Sequence, residues 1–325
     1  MHALIHHTFG EAEDVLALEE RPVPQPGPGQ VRLRVALSPI HNHDLWTVRG
    51  TYGFKPELPA ASGTEALGVV DALGDGVEHL VVGQRVATGG TFGAWAEYIV
   101  ANAAGLIPVP DGLSDESAAQ LVSMPFSTIS LLQFLDVNEG DWIVQNAANG
   151  AVGRMLAQLG AARGVNVLGL VRRSAGVDEL RAQGIENVIT TDQSDWREQA
   201  AALTGGAAIV AGVDSVGGSS AGDVLSLIGE GGTLVAFGAM NSPVMEIASS
   251  DVIFKQATVK GFWGSKVIQT MDASTRGALF TELIQRVTDG TLTLPVAGTF
   301  DAADIADAVR LSKTPGRVGK VLLRF

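Results

Sequence analysis

The stretch Asp141-Trp-Ile-Val-Gln-Asn-Ala-Ala148-Asn149-Gly150-Ala151-Val152-Gly153 decides the fold. An apolar strand pattern runs into a small-residue turn of the A-x-G-x-x-G kind and opens a helix. Small residues let backbone approach a pyrophosphate, whose charge sits at the helix N-terminus where free N–H groups point. Arg172 and Arg173 follow 19 residues after Gly153. An NAD site would end the next strand there in an acid for the ribose 2′-hydroxyl; two guanidinium groups suit a 2′-phosphate instead. The stretch therefore predicts NADPH as cofactor. The alternative reading of the pair is exposed charge at a helix entry.

Around this stretch the pattern alternates strand and helix. Strands are expected at 141–146, 165–171, 187–190, 207–213 and 233–238, and a further one at Ala257–Trp263. Helices are expected at Val152–Arg163, Val177–Gln183 and Arg276–Asp289. Such alternation predicts a doubly wound parallel sheet. Residues before about 110 read differently. Val31-Arg-Leu-Arg-Val-Ala alternates apolar and polar, as a half-buried strand does, and Ala66–Leu73, Val81–Val86 and Trp95–Val100 read as further strands between glycine turns. This is an all-β pattern, expected to form a partly open barrel. The tail, with a helix over Asp301–Ser312 and a strand over Val318–Phe325, is expected to return to that first domain. The resulting division is 1–118 with 267–325 as one domain and 119–266 as the other.

The composition narrows the function. A chain of 325 residues that is 46% hydrophobic can bury a large core in two domains. A net charge of −13 disfavours nucleic acid and anionic membrane partners. With no cysteine, disulfides and thiolate-held metals are excluded. No apolar run reaches the roughly 20 residues a membrane span needs. Met1-His-Ala-Leu-Ile reads as a first strand with no signal-peptide pattern before it, so the cytoplasm is the expected location.

Four stretches carry a resemblance: Gly50-Thr-Tyr52-Gly-Phe-Lys-Pro-Glu-Leu-Pro59, Gln145–Gly153, Phe237-Gly-Ala-Met240, and Ile253–Trp263 with its Gly-Phe262-Trp263 end. Together they make the chain similar, over its whole length, to the medium-chain dehydrogenase/reductase superfamily. Within it the likeness is greatest to zinc-free 2-enoyl thioester reductases and quinone oxidoreductase-like members. The resemblance implies a GroES-like partly open β-barrel as catalytic domain, a Rossmann cofactor domain, and a homodimer. It also implies hydride transfer from NADPH to the β-carbon of an activated alkene. Two rivals share the fold: reduction of quinones, small enones or acrylates, and an NADPH-binding crystallin-like protein without turnover.

Residue by residue, the resemblance assigns Asn149, Gly150, Ala151, Val152 and Gly153 to the pyrophosphate turn, and Arg172, Arg173 and Ser174 to the 2′-phosphate. Phe237, Gly238, Ala239 and Met240 fall beside the nicotinamide ribose, Phe262 and Trp263 flank the nicotinamide, and Lys320 matches a basic cofactor contact. Zinc-dependent relatives carry a cysteine three residues before an aspartate, and later Gly-His-Glu. Here those places read His41-Asn-His43-Asp44 and Gly63-Thr64-Glu65, leaving at most His41 and Glu65 as ligand types, so no metal is expected. Without a metal, the enolate formed on hydride transfer needs a hydrogen-bond donor and then a proton. Tyr52, one of two tyrosines in the chain, suits this from its loop. Read alone, it serves equally as an anchor for that loop; the resemblance assigns it the catalytic role. Two departures from the family stand out. Met124 precedes Pro125 where relatives carry asparagine, and Asn42-His43-Asp44-Leu-Trp46 replaces a usual Pro-Ser-Asp-Ile, so Trp46 and Phe54 are expected to reshape the acyl pocket.

Overall fold

The computed structural model describes residues 1–325. Contacts divide the chain into two units, Met1–Met124 with Thr293–Phe325, and Pro125–Leu292.

The first unit is built on a seven-stranded sheet. Six strands run in the order Val296–Asp301, Lys320–Arg324, Gln30–Pro39, Glu65–Leu73, Arg85–Gly89, Ile107–Pro108, and Tyr98–Asn102 pairs back onto Gln30–Pro39. The alternation read in the sequence sets its inner face: Val31, Leu33 and Val35 are buried with Val70, Val86 and Ile99, whereas Arg32 ion-pairs with Asp71 at the half-exposed face. A small sheet of Leu16–Glu20, His2–His6 and Ala60–Ala61 completes the GroES-like architecture. One strand lies later than its sequence pattern predicts. Val81 and Val82 are 64% and 63% exposed, and the strand begins at Arg85. Gly83, at φ +89°, turns the chain, and the Gln84 side chain accepts the Val81 N–H, so the apolar pair faces solvent.

The second unit carries a six-stranded parallel sheet ordered Val188–Thr190, Asn166–Val171, Trp142–Gln145, Ile209–Asp214, Ile228–Ala236, Thr258–Gly261. This is the doubly wound Rossmann order, with the strand sequence reversing direction at Trp142–Gln145. Apolar strand residues such as Val144, Leu168, Leu170 and Leu234 meet Trp196, Val224 and Leu225 from the helices in one core. The predicted helices appear as Ala151–Ala162 and Ser174–Arg181.

The domain boundary moves. The sequence reading gave 267–325 to the catalytic domain, but Ala273–Thr288 forms a helix belonging to the cofactor unit. Phe280 of that helix stacks on Phe126 at 4.0 Å, Glu282 pairs with Arg163 at 2.7 Å, and Arg286 donates to the carbonyl of Ala162. An amphipathic helix declares that it has a buried face, not which neighbour will bury it. No helix is long and apolar enough to cross a membrane.

Candidate active site

In the second unit the predicted residues Arg172, Phe237 and Phe262 each directly follow a parallel strand, so they lie at the carboxyl ends where open α/β sheets bind ligands. Two residues not predicted lie at the same edge: Asn146 follows a strand and Asp214 ends one. The turn after Trp142–Gln145 is tight. Ala147 adopts a left-handed φ of +50°, the Gly150 N–H donates to the Ala147 carbonyl at 2.8 Å, and a Cβ on Gly153 would meet the Ala148 and Ala147 carbonyl oxygens at 2.6 and 2.7 Å. Helix Ala151–Ala162 starts at Gly150 without a side-chain cap or an acid in its first turn. The N–H groups of Ala151, Val152 and Gly153 therefore have no intrahelical acceptor and stand ready for an anion.

Arg172 and Arg173 are exposed, and neither side chain makes an ion pair or hydrogen bond. Arg173 precedes helix Ser174–Arg181, which has neither a capping side chain nor an acidic residue in its first turn. Two cations at the positive end of a helix are mutually and electrostatically unfavourable until an anion arrives. That arrangement fits a 2′-phosphate beside exposed Ser174. Beneath the turn, Arg154 is buried; its Nε donates to the Asn149 carbonyl at 3.0 Å, and its other nitrogens reach Glu179 at 2.5 Å and Gln183. It ties the turn at Asn149 to helix Ser174–Arg181 behind the arginine pair. The sequence reading missed it, because a charge inside an amphipathic helix gives no sign that it will be buried.

A second missed pair is Asn146 and Asp214. Buried Asp214 accepts from Asn146 Nδ2 at 2.6 Å and from the N–H groups of Val216 and Gly217, while Asn146 Oδ1 accepts the Ser215 N–H at 2.8 Å. The Phe237–Met240 segment hangs from the same loop. Phe237 and Gly238 donate their N–H groups to the Asp214 carbonyl, and Met240 donates to that of Ser215. Ala239 and Met240 are exposed there. The Phe262 ring is buried, 5.3 Å from Phe134 and 5.7 Å from Phe237. Neighbouring Trp263 is exposed, with Lys266 over its ring, and remains available to a ligand.

In the first unit the chemistry gathers at helix Asn42–Arg49. Gly50 ends it in a left-handed conformation (φ +79°), and the N–H groups of Thr51 and Tyr52 fold back to the Trp46 carbonyl at 2.9 and 3.3 Å. This closure sets Tyr52 beside His43, with ring centroids 5.8 Å apart. At the other end of the helix, Asp44 is buried and accepts the His41 N–H at 3.0 Å and the Thr64 hydroxyl at 2.7 Å. Thr64 Oγ1 in turn lies 2.7 Å from His43 Nε2. Phe54 and Phe92, 4.4 Å apart, line with Val48, Pro56 and Ala60 a cavity of about 290 Å³ that opens beside Asp44 and Thr64.

Behind lies a dry polar pair. His41 Nε2 is 2.7 Å from Glu65 Oε2, and Glu65 Oε1 accepts the N–H groups of Val122 and Ser123 at 2.6 and 2.7 Å. Burial pushes the Glu65 carboxyl up to about 7, against those N–H bonds and Lys320, which pull it down. Burial, with Lys320 and His43 adding to it, holds His41 well below the usual imidazole range. The His41 ring is therefore neutral, and its buried Nδ1 has no partner. Lys320, predicted as a cofactor contact, sits with this group: burial and Arg317 press its ammonium down to about 8, against Asp44 and Glu65.

A catalytic zinc needs three protein ligands and an open position. Here the place of a ligating histidine holds Thr64, committed to Asp44, and Glu65 is spent on His41 and two backbone groups. This donor set does not fit the metal.

A phosphate-ready parallel sheet with a metal-free polar cluster on a GroES-like unit defines a two-domain, dinucleotide-dependent oxidoreductase. The family described as zinc-binding dehydrogenase matches residues 151–279, and the alcohol dehydrogenase GroES-like domain matches residues 27–111. The chain is 29% identical over 327 residues to the mitochondrial enoyl-[acyl-carrier-protein] reductase of Homo sapiens, covering 99% of this chain and 88% of that one. Its identity to the corresponding protein of Caenorhabditis elegans is 31% over 248 residues, covering 74% and 71%. A mycobacterial protein solved in complex with NADPH superposes with a TM-score of 0.88 at 27% identity, and a Pseudomonas syringae quinone oxidoreductase with 0.86 at 27%, both over 100% of each chain. The chain belongs to the medium-chain dehydrogenase/reductase superfamily, in its zinc-free part.

Proposed function

We propose that this NADPH-dependent oxidoreductase reduces the C=C bond of 2-enoyl thioesters. NADPH, when bound, supplies the hydride for the β-carbon. The first-turn N–H groups of Ala151–Gly153 would hold its pyrophosphate, Arg172, Arg173 and Ser174 its 2′-phosphate, and the Phe237–Met240 segment with Trp263 its nicotinamide end. Tyr52 donates a hydrogen bond to the thioester carbonyl oxygen and so takes up the negative charge that hydride addition moves there. It then supplies the proton for the α-carbon. The cavity beside Asp44, with Phe54 and Phe92 at its wall, offers apolar lining to an acyl chain.

The observation that carries this reading is the placement of a phenol, rather than a metal ligand set, at the end of helix Asn42–Arg49 beside the polar cluster. A quinone reductase is the second reading, favoured by the superposition on the Pseudomonas syringae quinone oxidoreductase. Loss of NADPH absorbance on mixing with crotonyl-CoA separates the two. Turnover of the thioester is expected; turnover of quinones alone would overturn the reading. The partner in this proposal is a second copy of the chain. Edge strand Thr258–Gly261 pairs on one side only; it carries exposed Val259, and exposed Ile253 and Phe254 precede it. Phe254→Glu with Val259→Lys should shift a dimer to monomer in light scattering; a protein already monomeric at micromolar concentration would contradict this.

A further inference from the structure

His43 differs from the other polar groups of its cluster in having an uncommitted ring nitrogen that is not sealed from solvent. Asp44 fixes its state at the far end of a short chain. Asp44 Oδ1 accepts the hydrogen of Thr64 Oγ1, and a hydroxyl has only one to give. Thr64 Oγ1 can therefore only accept from His43 Nε2, 2.7 Å away, so Nε2 carries the hydrogen. Nδ1 is left as the basic nitrogen and makes no hydrogen bond within the protein. The side chain is 19% exposed, where that of Asp44 is 0%. One face of the ring stacks on neutral His41 at 4.9 Å, and the ring of Tyr52 lies 5.8 Å away. Asp44 Oδ1 also lies 3.5 Å from Nε2. An oriented imidazole, a hydroxyl bridge and a buried carboxylate form the arrangement in which histidine serves as acid and base.

We propose that His43 is the proton carrier for Tyr52, taking protons from solvent at Nδ1 and passing them, directly or across one water, to the phenolic oxygen. This rests on the thioester reading above. The hydride brings an electron pair and one hydrogen to the β-carbon; the alkene pair shifts between the α-carbon and the carbonyl carbon, and the carbonyl π pair moves onto oxygen. As that carbonyl re-forms, the α-carbon takes the proton of the Tyr52 hydroxyl. The phenolate left behind takes the Nδ1 proton of the His43 imidazolium, and Nδ1 takes another from solvent. The sum is enoyl thioester, NADPH and one proton giving acyl thioester and NADP⁺. Tyr52 touches the substrate; His43 acts through it.

The test compares the parent with His43→Gln, His43→Ala and Tyr52→Phe, using crotonyl-CoA and NADPH. A glutamine amide still donates to Thr64 Oγ1 but carries no proton. His43→Gln should lower kcat about 100-fold with KM for NADPH and the unfolding midpoint unchanged. Added imidazole should restore the activity of His43→Ala at least about tenfold, as only a missing proton carrier permits. Parent-like kcat in His43→Gln overturns the inference, as does loss of activity that imidazole does not restore. If Tyr52→Phe is inactive while His43→Gln is active, the carrier fails and the thioester reading stands. If Tyr52→Phe keeps parent activity, or the parent reduces no thioester, that reading fails first and takes the carrier with it.

Discussion

The two units treat charge in opposite ways. At the carboxyl edge of the parallel sheet, Arg172 and Arg173 are exposed and unpaired at a helix end that already carries positive potential. In the other unit, Glu65, His41 and Asp44 are buried, and nearly every polar atom is matched within the protein. The exposed pair is incomplete by itself and gains most when a phosphate arrives. The buried group is complete without a ligand and serves to hold Tyr52, Thr64 and His43 in fixed geometry. Removing a member should therefore harm binding in the first case and folding in the second.

The largest effect expected from this contrast is on Glu65→Ala. It leaves the N–H groups of Val122 and Ser123 without an acceptor and the Nε2 of His41 without a partner in a dry site. Urea unfolding should show a loss of about 3–5 kcal/mol. A loss below about 1 kcal/mol would mean that the cluster is not the rigid element described.

The pH dependence of the same residue sharpens the point. The folded carboxyl, raised to about 7, holds its proton more tightly than the unfolded one at 4.5. Its contribution is fully present below 4.5 and lost as pH rises through 7. Relative to Glu65→Gln, which does not titrate, the parent should lose stability between pH 5 and pH 8 by up to about 3 kcal/mol. A constant difference between the two proteins across that range would contradict the burial argument.

For the exposed pair the prediction reverses. Arg172→Ala with Arg173→Ala should leave the melting temperature unchanged and weaken NADPH at least tenfold, with NADH little altered. Each lost charge-assisted contact is worth about 1.5–3 kcal/mol. Equal affinity of the parent for NADH and NADPH, by titration calorimetry, would remove the 2′-phosphate assignment.

The same contrast explains what could be read in the chain before its structure. The proposed cofactor edge is the part that sequence can express because it is local: Ala148–Gly153 and Arg172–Ser174 are contiguous stretches, and their assignment rests on backbone and charge. The buried cluster joins residues 41–44 to 64–65 and to 122–123, and nothing along the chain says that these meet. The resemblance sets His41 and Thr64 where zinc-dependent relatives carry ligands; it does not say what they do instead. Arg154 and the Asn146–Asp214 pair were missed for the same reason, since a polar residue in an apolar pattern does not disclose its partner. The ring contacts of Phe262 with Phe134 and Phe237 likewise join positions far apart in the chain. Val81–Val82 looked like strand because periodicity weighs apolar residues and not the turn that Gly83 makes.

Turnover of crotonyl-CoA by Tyr52→Phe tests the central claim most directly, because the substitution removes one hydroxyl and leaves the ring in place. With NADPH affinity retained, the account predicts that kcat falls about 100-fold or more. Thioester reduction at the parent rate would contradict it, and would assign the carbonyl charge to another group.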